Sequence, residues 1–238
     1  MTPIGITHTG KLGDFYFSLP LASWLYKISG RKIHWVLAKQ FPLFAKVRSL
    51  LMLQEMTAEV SVVDWPGFYW ALGGQPWEVD PNDLGIPLET YYNVGYPGWP
   101  DLFVSQYFAN YSTDGEWDRD FVLNLGPVTP TDEIVCTEHK QIVDMYLNGP
   151  NPPRLTVPDM SGDVLPVLQR FAAAKTRCCG FSSVAVAMMF ANLPFKLYGQ
   201  GFPKADFDSF FGFRRELYEV VIPEGWLNPT EMKHTETP

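Results

Sequence analysis

Apolar positions in the first sixty residues fall into short runs broken by glycine, proline and charge. Residues 4–8 form an apolar stretch that runs into a glycine-containing loop at 9–13, and they read as a first strand. Residues 14–29, DFYFSLPLASWLYKIS, carry apolar groups at helical spacing and end against Gly30, a helix-stop signal. Pro20 lies inside that helix and predicts a kink. Residues 33–38 read as a second strand and residues 60–63 as a third. Between them, residues 42–53 read as a helix with Phe44, Val47, Leu50 and Leu51 on one face. Strands alternating with helices in this way predict a parallel sheet covered by helices.

The pattern changes at 64–101, which is rich in Pro, Gly, Trp and Tyr and reads as a long irregular excursion around a short strand at 91–94. Such a stretch is either a functional loop or a rigid cap over the core. Residues 102–111 read as a helix, and DRDFVLNLGPVTPTD (118–132) as a connecting stretch. A second strand-helix series follows. Strands are expected at 133–136, 155–157, 176–179 and 195–198, with helices at 139–147, 164–174, 182–192 and 205–218. The chain therefore divides into a first domain at 1–125, a linker at 126–132 and a second domain at 133–203. Residues 204–238 are expected to be a helix packing back and a frayed tail.

Composition changes this picture little. With 46% hydrophobic and 18% charged residues, the 238-residue chain has ample material for a core. Charge is more informative, because it is uneven. Residues 1–54 carry seven basic groups against Asp14 alone, a net +6, while the remainder carries −14. That asymmetry points either to solvated faces or to a face that meets an anion. Cys136, Cys178 and Cys179 lack framework or CxxC spacing, and the four histidines lack ligand spacing. No disulfide scaffold, bound metal or cofactor is expected. The opening residues lack a signal-peptide pattern, and no apolar run is long enough to span a bilayer, so a cytoplasmic setting is expected.

Candidate chemistry gathers at two strand-to-helix turns. In the first, Gly10 and Gly13 permit a tight turn and close backbone approach, and Lys11 can pair with a phosphate. Asp14 follows, either as an N-cap or as a catalytic base. His8 adjoins the turn as a structural or an assisting residue. The spacing is not that of a P-loop. In the second, Ser182 and Ser183 open a helix after a strand, which suits capping or a diphosphate. Thr137 and Lys140 follow the first strand of the second half and are candidates for the same phosphates.

Two segments together resemble the heptosyltransferase family, glycosyltransferase family 9, the ADP-heptose:lipopolysaccharide transferases. In residues 7–41 the match rests on Gly13-Asp14 and Leu19-Pro20 in order and spacing. In residues 158–201 it rests on Pro158, Met160, Ser161, Ala174, Lys175, Pro194, Tyr198 and Gly199. The resemblance implies a GT-B-like α/β fold, with two Rossmann-like parallel-sheet domains facing a cleft and the second one reduced. It implies Asp14 as general base of an inverting, metal-independent sugar transfer to a hydroxyl. Gly10, Lys11, Gly13, Thr137, Lys140, Met160, Ser182 and Ser183 would hold a nucleotide-diphosphate-sugar donor, with Met160 against the base or in the core. The chain departs from the family where an acidic Asp-Thr-Gly aligns with Phe181-Ser182-Ser183 and a histidine aligns with Val186. An anionic glycan such as lipopolysaccharide core is the expected acceptor. The alternatives are DNA with a hydroxymethylated base and a non-catalytic nucleotide- or glycan-binding module.

Overall fold

The computed structural model describes residues 1–8, 12–39, 42–64, 80–94, 117–137, 155–159, 161–180, 182–198 and 212–221. The chain forms two compact units, Met1–Gly126 with Ser161–Pro166, and Pro127–Met160 with Val167–Pro238. The helices expected at 102–111 and 139–147 lie outside the described residues. So does most of the aromatic-rich excursion.

The first unit is built on four parallel strands in the order β3-β2-β1-β4. They are β1 (Ile4–His8), β2 (Ile33–Ala38), β3 (Thr57–Val63) and β4 (Tyr91–Val94). Every residue of β1 and β2 is buried, as expected of central strands covered on both faces. Helix α1 (Leu12–Ser29) buries Phe15, Tyr16, Phe17, Leu19, Leu21 and Leu25. It runs through Pro20 as one helix. Gly30 ends it with φ of 66° and donates its N–H to the Tyr26 carbonyl at 2.8 Å, a left-handed termination that glycine adopts without strain.

β4 reaches β1 through a close approach. A Cβ at Gly5 would sit 2.5 Å from Leu88 Cδ1 and 3.0 Å from Tyr91 Cβ. Gly5 is therefore required where β4 and the chain before it lie against β1.

Two expectations need correction in this unit. Residues 42–53 are not one helix but a 3-10 turn, Pro42–Lys46, followed by the short helix α2 (Arg48–Met52). Phe44, Val47, Leu50 and Leu51 are all buried, so the apolar face was right. A spacing of three residues fits a 3-10 turn as well as an α-helix, which is why the pattern did not separate them. The stretch from 118 to 125 is also not linker. Phe121, Leu123 and Leu125 alternate into the core, and the Gln54 side chain binds the Asn124 N–H and carbonyl as a neighbouring strand would. Asp118 anchors the start of this strap, accepting from Ser23 Oγ at 2.5 Å and pairing with Lys27 Nζ at 2.7 Å.

The second unit carries five parallel strands in the order β6-β5-β7-β8-β9. They are β5 (Ile134–Cys136), β6 (Leu155–Thr156), β7 (Thr176–Gly180), β8 (Phe195–Tyr198) and β9 (Tyr218–Val221). Helix α3 (Val164–Ala173) precedes β7, and α4 (Ser183–Phe190) joins β7 to β8. Arg177 braces the end of α3 by donating to the Phe171 and Ala172 carbonyls at 2.8 and 2.6 Å.

The helix expected over 205–218 is corrected in its described part. Residues Gly212–Leu217 form a 3-10 segment, and Tyr218 opens β9, which extends the sheet beside β8. Tyr218 is buried and stacks on Phe195 at 5.8 Å, so an edge-strand anchor replaced the helical pattern.

Candidate functional site

Both sheets place candidate residues at a topological switch point. In the first unit the chain moves from β1 to β2 and β3, then returns to add β4 on the far side of β1. Connections leaving neighbouring strands then diverge at the carboxyl ends of β1 and β4, and an open α/β sheet binds ligands there. His8 is the last residue of β1, and α1 begins four residues later. Asp14 is the third residue of α1, in its first turn rather than at an N-cap before the helix. Gly13 precedes it within the helix. The side chain of Asp14 and all of Gly10 and Lys11 lie outside the described residues.

His8 is fully buried. Its ring stands at right angles to Phe15, at 5.4 Å, and to Phe44, at 5.9 Å. Phe15 also packs against Trp35 at 5.3 Å and Phe44 at 5.6 Å. The residue next to Asp14 is thus the hub of an aromatic cluster. Sequence reading singled out His8 but missed this cluster. Its signal was the phenylalanine directly after Asp14 and the buried-face position of Phe44.

Three of the basic groups near the amino terminus have local partners. Lys27 pairs with Asp118, Lys39 with Asp64 at 3.5 Å, and Arg31 donates to the Thr2 and Pro3 carbonyls. Lys46 ends the 3-10 turn after β2 and Arg48 begins α2, both close in sequence to Phe44.

In the second unit β6 lies on one side of β5 and β7 on the other, so the switch point falls at the ends of β5 and β7. Thr137 sits there. Its Oγ1 accepts from the Gly180 N–H at 2.9 Å, and its own N–H donates to the Cys178 carbonyl at 3.0 Å. The residue expected to reach a phosphate is thus a strut across the ends of two strands.

Ser182 follows two residues beyond Gly180 at the N-cap of α4, with extended backbone (φ −150°, ψ 167°). Its hydroxyl does not cap the helix. Ser182 Oγ is buried with no hydrogen-bond partner among the described residues. A buried, unsatisfied hydroxyl costs about 1–3 kcal/mol. The first N–H groups of a helix also lack intrahelical acceptors and favour an anion. Ser183 is the first residue of α4. Lys140, Met160 and Phe181 lie outside the described residues.

Cys178 and Cys179 are buried strand residues, as their apolar setting predicts, and Cys136 is buried beside Cys178. The hydrogen bond to Cys178, then burial, push the Cys136 thiol up, and burial pushes up Cys179, which favours the protonated thiol at both positions. No group of His, Cys, Asp and Glu that could hold a metal ion occurs among the described residues. No described helix is long and apolar enough to cross a membrane.

No family model and no curated protein matches the chain by sequence. Solved structures do match along nearly all of it. The glycosyl transferase family 9 structure from Veillonella parvula DSM 2008 matches with a TM-score of 0.61 at 10% identity, over 93% of this chain and 86% of that one. E. coli heptosyltransferase WaaC with ADP matches with a TM-score of 0.52 at 10% identity, over 97% and 98% of the two chains. The dodecameric iron-containing heptosyltransferase TibC in complex with ADP-D-beta-D-heptose gives 0.52 at 11% identity, over 96% of this chain and 64% of that one; TibC comes from enterotoxigenic E. coli H10407. Two Rossmann-like parallel-sheet units with these neighbours define a GT-B-like fold. The fold is that of family 9 heptosyltransferase structures, as the sequence resemblance implied.

Proposed function

We propose that the chain is a glycosyltransferase that moves a sugar from a nucleotide-diphosphate-sugar onto a hydroxyl of an anionic glycan. The observation that carries this reading is the fold shared with family 9 structures, combined with a helix start at each switch point. Two of the matching structures hold ADP or ADP-D-beta-D-heptose, which supports a nucleotide-sugar donor.

In this reading Asp14 takes the proton of the acceptor hydroxyl as that oxygen attacks the anomeric carbon. The bond from the anomeric carbon to the diphosphate breaks, and attack from the opposite face inverts the centre. The leaving diphosphate is held by the amino end of α4, with Ser182 Oγ and Ser183 as donors. Lys140 and Lys11 supply cations to phosphate, Gly10 and Gly13 admit the ligand to the first turn, and Met160 lines the base pocket. Thr137 keeps the ends of β5 and β7 in place for the same ligand. No metal is needed if these donors offset the developing charge. The net +6 of residues 1–54 supports an acceptor that bears negative charge.

A thermal-shift screen of nucleotide-sugars followed by a donor-turnover assay tests the reading. Asp14→Asn is expected to lower kcat by about 100- to 10,000-fold while donor affinity stays within about twofold. Unchanged turnover in that variant would remove Asp14 from the base role. Donor binding with no turnover by the unaltered chain would favour the non-catalytic binding module instead. That alternative draws its support from Phe181, which stands where the family carries a carboxylate.

A further inference from the structure

We infer that His8, Phe15 and Phe44 form a positioning clamp on the first turn of α1, and that this clamp fixes the backbone from which Asp14 acts. The inference rests on Asp14 as the base and adds the residues that hold it. Gly13 lies in the first turn of α1 itself, directly before Asp14, and glycine restrains a backbone least. A base must be held within a fraction of an ångström to be effective. Something outside the turn therefore has to set where the helix starts.

The aromatic cluster supplies that restraint from three separate elements. His8 comes from the end of β1, Phe15 from α1 and Phe44 from the 3-10 turn after β2. All three side chains are fully buried. Their centroids lie 5.4, 5.6 and 5.9 Å apart, so each ring touches the other two. The near-perpendicular arrangement of His8 against both phenylalanines is the favoured geometry for aromatic pairs and resists sliding. Phe15 is covalently next to Asp14 and packs on Trp35 as well, so the turn cannot shift without unpacking a closed triangle of rings. Phe44 is the informative member, because it lies outside the strand-turn-helix segment and meets the turn through the other two rings.

Phe44→Leu keeps an apolar side chain and removes the ring. Phe44→Met is the second variant, in case the branched side chain does not fold. Leu123→Ala is the control: Leu123 is buried in the strap beside Asn124, which is tied to Gln54 near the start of β3, away from the turn. Hydrogen exchange over residues 12–18 needs no donor. It is expected to quicken about tenfold in the Phe44 variants and to stay unchanged in the control. With a nucleotide-sugar that the unaltered chain turns over, the Phe44 variants are expected to lose about 100-fold in kcat with donor KM unchanged, below their melting temperature. Wild-type exchange at 12–18 in a folded Phe44 variant would overturn the clamp. So would a loss of activity that only tracks melting, as in the control. Asp14→Asn run in parallel separates the two readings. Full activity in Asp14→Asn removes the base; an inactive Asp14→Asn beside a fully active Phe44→Leu removes only the clamp.

Discussion

Asp118 offers a test of how the first unit keeps its strap. The carboxylate is almost wholly buried, with its side chain 6% exposed, whereas Lys27 is 58% exposed. Burial alone would raise its pKa. The hydrogen bonds from Lys27 and Ser23 outweigh that and hold it below the ordinary carboxylate value. The Lys27 pair is largely in water and contributes about 0–1 kcal/mol. The bond from Ser23 is buried and made to a charged acceptor, worth about 1.5–3 kcal/mol. Asp118→Ala removes both and leaves Ser23 without its acceptor, so a loss of about 2–4 kcal/mol is expected. Asp118→Asn keeps the shape and an acceptor and removes the charge, with an expected loss of about 1–2 kcal/mol at neutral pH. The sign of the pH dependence follows from the depressed value. The carboxylate's contribution is complete above the pKa of the unfolded chain and is lost as pH falls through the lower folded value. The gap between the native chain and Asp118→Asn should thus be constant from about pH 7 to pH 5 and close progressively below it. Urea unfolding followed by circular dichroism at a series of pH values reads this directly, provided the slope with urea is unchanged. A gap that persists undiminished at about pH 3, or no gap at neutral pH, would refute the role given to the charge.

Two further substitutions probe the sheet and the second crevice. Gly5→Ala is expected to destabilise by about 1–3 kcal/mol, because the new methyl would overlap Leu88 Cδ1. Leu88→Ala in the same chain should recover part of that loss in a thermal melt, and strict additivity would count against the contact. Ser182→Ala is expected to leave the ligand-free chain as stable as before or slightly more so, since it removes a buried hydroxyl with no partner among the described residues. The same change should weaken nucleotide-sugar affinity about tenfold by titration calorimetry. A ligand-free chain destabilised by more than about 1 kcal/mol would mean that the hydroxyl is structural.

Most of the parallel framework was legible because strand and helix alternate with clear punctuation. Residues 33–38, 91–94 and 195–198 read as strands with the bounds they have in the fold. Gly30 marked the end of α1 because only a left-handed residue closes it there. Local pattern failed where tertiary packing decided the backbone. Residues 218–221, YEVV, are too short to oppose a helical pattern running in from 205, and their strand state depends on pairing with β8. Residues 118–125 looked like linker because their prolines and glycine lie just downstream. Their burial rests on contacts far along the sequence, including Gln54. At the candidate sites, residue type was readable and bonding state was not. Ser182 was visible as a helix opener, but its unsatisfied hydroxyl requires coordinates. Thr137 was visible as a polar residue after a strand, but its bond to Gly180 was not.

That bond bears on how the second crevice works. A switch point exists only because β7 returns to the side of β5 away from β6, and the ends of β5 and β7 must then be held in register without further strand pairing. Cys136 pairs with Cys178 as the last matched position, and beyond it the ladder gives way to the Thr137 hydroxyl and the Gly180 N–H. The Gly180 N–H at the end of β7 is therefore held by a side chain just past the end of the neighbouring strand. The first unit meets the same requirement differently. There Thr7 Oγ1 donates to the Tyr92 carbonyl at 3.4 Å, and the missing side chain at Gly5 lets β4 close on β1. A threonine at or just past a strand end thus ties two neighbouring strand ends together in each unit.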